Sequence, residues 1–290
     1  MNRRAVFLTV VALLLFAAIT LFKFRTREDE PGTEVTRQAT AQEARIREFW
    51  EVYRQATEYR VAGDSRRAAE SYARALELDP QHEDARYYLG NMYLELGRYR
   101  EAETAWEHLV LVNPGSARAH SRLGDLHFCL EPGAPVDLTR AEAEFRRALH
   151  LNQEETGPLL RLGEIALVRG NLTDASYFLD AVIASNPGSA PAHFLKGYLA
   201  WRGGDLGQAS ALFAKAVELA RPREPAGGVP GEGDTKRGLA PLLAPQMKCG
   251  ALKLEIAEVS APAGSDVPAQ MQGQYQRLVE MFEEFRRLRS

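Results

Sequence analysis

Cysteine is almost missing from this chain, with only Cys129 and Cys249 among 290 residues. Two are too few for a disulfide framework, so the fold has to rest on buried apolar surface. Two readings stay open for them: one bond formed outside the cytoplasm, or two solitary buried thiols, the second being the expectation. An excess of one charge is missing too. The net charge is −3 and no basic stripe interleaved with aromatics occurs, so no nucleic-acid partner is expected. Catalytic constellations are lacking as well, since no Ser/His/Asp set or carboxylate pair stands apart from ordinary helix-surface charges. His127 and Cys129 sit two apart on a helix, where side chains diverge by about 200°, a poor geometry for a metal. The segment Gly231-Glu232-Gly233-Asp234-Thr235-Lys236 lacks the Gly-Lys-Ser/Thr order of a phosphate loop and follows no predicted strand. The expectation is a protein that is not an enzyme and uses no cofactor and no metal.

Long apolar runs are scarce, and the one at the N-terminus is Ala5 to Phe22, between Arg3-Arg4 and Lys23, Arg25 and Arg27. Its 18 residues span about 27 Å as a helix, enough for a hydrocarbon core. No small-x-small cleavage site is clear between Ala17 and Arg27. An uncleaved transmembrane signal anchor over 5–22, behind a basic tail at 1–4, is therefore expected. A basic head stays in the cytoplasm and sends the rest of the chain across the membrane. Residues 23–48 read as a polar tether and helix lead-in.

What the chain does have is periodicity. Pro80, Pro114 and Pro187 each follow Asp or Asn, and the first two lie 34 residues apart. A period near that length marks a helix-turn-helix solenoid. In the segment 83–116, Leu89-Gly90 precedes Tyr93, Gly97 ends one helix, Ala102 opens the next, and Trp106 and Leu109 lead to Pro114. Gly90 permits close helix approach, and Gly97 supplies a left-handed turn residue. The register recurs as Ala56, Tyr59, Ala68, Tyr72 and Ala75 in 49–82, and as Leu123-Gly124, Ala141, Phe145 and Ala148 in 117–155. It returns as Leu162-Gly163, Gly170, Ala175 and Leu179 in 156–189, and as Gly197, Gly204, Ala209 and Phe213 in 190–222. The third copy carries an insertion of five residues around Glu131-Pro132-Gly133-Ala134-Pro135. Val52, Arg86 and His120 stand where an aromatic often opens such a copy.

These residues resemble the tetratricopeptide repeat family over 49–222. The resemblance implies an all-α, right-handed α-solenoid of about five TPR units, with the first (A) helix of each lining an inner groove that binds a protein or peptide. Carried onto this chain, the family's groove positions include Trp50, Tyr53, Thr57, Tyr87, Asn91, Leu94, Arg118, Asp125, Phe128, Phe194, Tyr198 and Trp201. Exposed aromatics in such a list point to a binding surface. The competing reading puts Phe194, Tyr198 and Trp201 beneath a C-terminal helix. The basic part of the family's carboxylate clamp is matched by Arg118 and Arg122, but Tyr53, Thr57 and Tyr88 replace its other members.

Beyond the repeats, 223–267 reads as a Pro/Gly-rich linker, within which 239–259 is apolar but interrupted by Pro241 and Pro245. An amphipathic C-terminal helix is expected over 268–290, with Met271, Tyr275, Leu278, Phe282 and Phe285 on one heptad-like stripe. It either folds back on the array or makes a homodimer. Two functions follow: a membrane-anchored scaffold on the periplasmic face of a bacterial inner membrane, serving envelope assembly, secretion or cytochrome maturation, or a self-associating spacer.

Overall fold

The computed structural model describes residues 15–20, 31–221, 242–249, 251–257 and 267–287. Ten helices run in order: α1 (Pro31–Val61), α2 (Ser65–Leu78), α3 (Glu83–Glu95), α4 (Tyr99–Val112), α5 (Ala117–His127), α6 (Leu138–Leu151), α7 (Thr156–Arg169), α8 (Leu172–Ser185), α9 (Ala190–Arg202) and α10 (Leu206–Ala220). Strands β1 (Leu242–Lys248) and β2 (Ala251–Ala257) and helix α11 (Val267–Arg287) follow. Residues 15–20 are helical, and the rest of the expected anchor 5–22 lies outside the described residues. Among the described residues no helix is long and apolar enough to cross a membrane.

The Asx-Pro punctuation has a local cause. Asp79 Oδ1 accepts a hydrogen bond from Gln81 N at 3.2 Å, Asn113 Oδ1 from Gly115 N at 3.0 Å, and Asn186 Oδ1 from Gly188 N at 3.1 Å. Each is an Asx-turn that reaches over the intervening proline, whose nitrogen has no proton to offer. Asn152 makes the same turn to Glu154 N at 3.2 Å with Gln153 in the proline's place, so the third repeat closes as the first, second and fourth do. Starts of the second helices are capped by Asp64, Asp137, Asn171 and Asp205, whose side chains accept backbone N–H bonds. Gly97, at φ +69°, makes the left-handed turn between α3 and α4.

The chain divides into two compact units, 1–85 and 86–290. In the first, α1 packs along α2, and Phe49, Val52 and Ala75 form the buried centre. Residues 36–48 of α1 are exposed on all sides, ahead of that contact.

In the second unit the helices pair as α5 with α6, α7 with α8 and α9 with α10. The close approaches fall at the expected glycines. A Cβ on Gly90 would lie 2.6 Å from Trp106 Cε2, and one on Gly124 2.7 Å from Phe145 Cε1. Ala102, Trp106, Phe145 and Phe213 are buried between layers.

The C-terminal segment departs from the expectation of linker followed by helix. Residues 242–257 form an antiparallel hairpin, with Leu243 opposite Ile256 and Pro245 opposite Leu254. A two-stranded ribbon is marginal alone, and this one is held by burying Leu243 and Leu252 in the repeat core. Cys249, at its turn, is disulfide-bonded to Cys129 just beyond α5, which corrects the expectation of two free thiols. Helix α11 folds back on the array and packs against α7, α10 and β1.

Candidate functional site: the A-helix faces

The expected groove residues separate into an open group and a covered one. In the first unit, Trp50 projects from α1 and is 55% exposed. Its ring meets Phe49 at 5.1 Å, Tyr53 at 5.8 Å and His82 at 5.7 Å. Tyr53 lies edge-on to Tyr72 at 5.6 Å, and the Tyr72 hydroxyl hydrogen-bonds Thr57 Oγ1 at 3.2 Å and accepts from Arg60 Nε at 3.3 Å. Beside these rings is a cleft of about 530 Å³, lined by Arg45, Ile46, Phe49, Trp50, Leu78, Pro80 and His82 among others. Arg45 donates from Nε to Leu78 O at 2.7 Å, which ties one wall of the cleft to the other. An aromatic floor with a polar rim suits an apolar or aromatic side chain of a peptide.

In the second unit, Tyr87 on α3 is flanked by the guanidinium groups of Arg118 and Arg122, 4.7 and 5.8 Å from its ring centre. Its hydroxyl accepts from Arg122 Nε at 3.1 Å. Asn91 Oδ1 on α3 and Ser121 Oγ on α5 are buried with no hydrogen-bond partner among the described residues. Leu94 is half-buried and packs into the Trp106 cluster, so it serves the core as much as the face.

Asp125 stands between two arginines, 3.3 Å from Arg122 and 3.6 Å from Arg161. Burial nevertheless pushes its carboxyl up to about 6, against the pull of Arg161 and Arg122. Arg161 goes on to Glu164 at 2.8 Å, and Glu164 is wholly buried. Burial raises that carboxyl too, opposed by Arg161 and by a bond from the Leu252 backbone N–H.

Phe128 is buried, which corrects its reading as an open groove residue, while Phe194 and Tyr198 are buried and Trp201 is half-buried, in line with the alternative that places these three beneath the C-terminal helix. Phe285 stacks on Phe128 at 5.0 Å. Tyr275 meets Phe194 at 5.2 Å, Tyr198 at 5.9 Å and Trp201 at 5.8 Å, while Phe282 meets Tyr198 at 5.9 Å. The physical reason is mutual: two apolar stripes on one chain bury each other. Sequence reasoning placed the α11 stripe correctly and missed the hairpin, whose alternating Leu252, Leu254 and Ile256 were a usable signal obscured by Pro245.

At least three of the six histidines have structural partners. His120 Nδ1 is 2.6 Å from Glu144, His127 Nδ1 is 3.1 Å from Pro135 O, and His193 Nε2 is 2.9 Å from Pro187 O. No group of three or more metal-ligating side chains is gathered among the described residues.

Tetratricopeptide-repeat family models match residues 62–126 and, with a second model, 137–190 and 175–224. Among solved structures the chain is similar to MamA, with TM-score 0.50 and 24% identity over 57% of this chain and 93% of that one. It is similar to PilW, described as a widely conserved type IV pilus biogenesis factor, with TM-score 0.51 and 23% identity over 61% and 79%. The Pseudomonas aeruginosa pilF protein gives TM-score 0.51 and 16% identity over 61% and 83%. At these identities the likeness concerns the fold alone. No curated protein matches the sequence. With the repeat register, the Asx-turns and both family models in agreement, this chain belongs to the tetratricopeptide repeat family.

Proposed function

We propose that the chain is a membrane-anchored adaptor that holds a protein or peptide partner on the A-helix face of its first repeat, within unit 1–85. Tetratricopeptide arrays serve protein–protein interaction, and the role here is binding rather than catalysis. One observation carries the reading: Trp50 remains exposed beside an aromatic cleft, whereas Phe194 and Tyr198, the A-helix aromatics of the fifth repeat, are covered by the chain's own α11. The run 5–22 supplies the anchor, and the Cys129–Cys249 bond favours an oxidising compartment such as the periplasmic side of a bacterial inner membrane. Envelope assembly, secretion and cytochrome maturation are processes such an adaptor would serve. The spacer alternative loses its main support, since the stripe it needs for dimerisation is already buried.

Affinity capture with the fragment from Thr36 onward tests the reading. Trp50→Ala and Tyr53→Ala should each lose captured protein, an anchor in such a face being worth about 2 kcal/mol or more. Glu70→Ala, on the exposed side of α2, is the control. Equal yields from all three variants would refute it.

A further inference from the structure

The hairpin and α11 form a strap across the A-helix face of the last three repeats, and it is fastened by unlike devices. Phe285 and Tyr275 insert among Phe128, Phe194 and Tyr198. The Leu252 N–H reaches the buried Glu164 carboxylate, and Arg286 Nε donates to Val168 O at 2.8 Å. The disulfide then joins the hairpin turn to the end of α5. Its two ends differ in access, Cys129 being fully buried and Cys249 partly exposed.

We propose that this strap is a redox-held closure. With the Cys129–Cys249 bond intact, α11 covers the A-helix face in cis. With the bond reduced, the same face accepts α11 from a second copy of the chain. The seat is built for that helix, because its aromatic lining matches the Tyr275, Phe282 and Phe285 stripe ring for ring. The chemistry is thiol–disulfide exchange with a dithiol. Its thiolate attacks Cys249 Sγ, the partly exposed end, and Cys129 leaves as a thiolate. The second thiol of the reductant resolves the mixed disulfide, releasing Cys249. The S–S bond thus passes to the reductant, which gives up two electrons and two protons, and both cysteines end as thiols.

The effect is sizeable, because losing a disulfide's restraint typically favours the released state by about two orders of magnitude. The apolar stripe keeps the strap docked most of the time after reduction, so the change is in how often it opens and what can replace it.

The test uses the full-length protein, oxidised and after dithiothreitol, with cleavage of the bond checked by mass. Amide hydrogen exchange in α11 should accelerate about a hundredfold on reduction while that in α2 is unchanged. Cys249→Ser should show the fast exchange with or without reductant. A labelled peptide of Val267–Arg287 should bind the reduced chain and not the oxidised one. The same peptide carrying Tyr275→Ala and Phe282→Ala should not bind. Unchanged exchange in α11, or equal acceleration in α2, would overturn the closure. Failure of the unmodified peptide to bind the reduced chain would overturn the exchange in trans.

Discussion

Replacing Gly90 by alanine puts a methyl carbon 2.6 Å from Trp106 Cε2, closer than real Cβ contacts come, so the indole has to move. Trp106 has nowhere to go. It is wholly buried, with Ala102 and Leu123 in its cluster, and its Nε1–H donates to Tyr87 O at 3.3 Å. Overpacking of this kind costs about 1–3 kcal/mol, and losing the indole hydrogen bond adds about 1 kcal/mol. The better helix propensity of alanine returns about 1 kcal/mol. The net expectation is a loss of about 1–3 kcal/mol, or about 1 M in urea midpoint at ordinary slopes. Gly273→Ala is the matched control, since that glycine is also helical and its added Cβ would meet nothing within 4 Å. It should be neutral or stabilising by up to about 1 kcal/mol. Urea unfolding followed by far-UV circular dichroism and by tryptophan fluorescence measures both. Equal midpoints for the two variants would mean that helix contact at Gly90 is not what the glycine is for.

Asp125 makes stability depend on pH. Its folded pKa of about 6 lies above the ordinary 3.8, so its contribution is fully present below the ordinary value and fades as pH rises through about 6. At most about 3 kcal/mol is involved, and Asp125→Asn should flatten the urea midpoint between about pH 4 and 6 relative to the unsubstituted chain. Removing Pro268–Ser290 uncovers Phe128, Phe194 and Tyr198, each worth about 1.5–3 kcal/mol of burial, so unit 86–290 should lose stability or self-associate. Light scattering with urea unfolding decides it, and unchanged mass with an unchanged midpoint would refute the packing role of α11. Glu103→Ala should destabilise by about 1–2 kcal/mol, because Glu103 joins Arg140 at 2.7 Å and His127 Nε2 at 3.4 Å across helices. A silent Glu103→Ala in the same unfolding assay would mean those pairs contribute nothing.

The repeat architecture was legible because its causes are local. An Asx residue before proline makes its own turn, a glycine or small residue sits wherever two helices touch, and aspartate or asparagine caps the following helix, all within a few residues of chain. The α11 stripe was legible for the same reason, since helical periodicity is a property of one segment. Where that stripe would go was not. Whether Tyr275 meets Phe194 or a second molecule depends on a contact between residues 81 apart in sequence, and no local pattern encodes it. The same holds for the Cys129–Cys249 bond, which closes a separation of 120 residues, and for the hairpin, whose strands are stable only because Leu243 and Leu252 enter a core made by distant helices. Sequence alone determined the repeated helix pairs and which side chains face inward. The tertiary structure decided which of those faces stay open, because burial is settled by whatever apolar surface the rest of the chain brings to them.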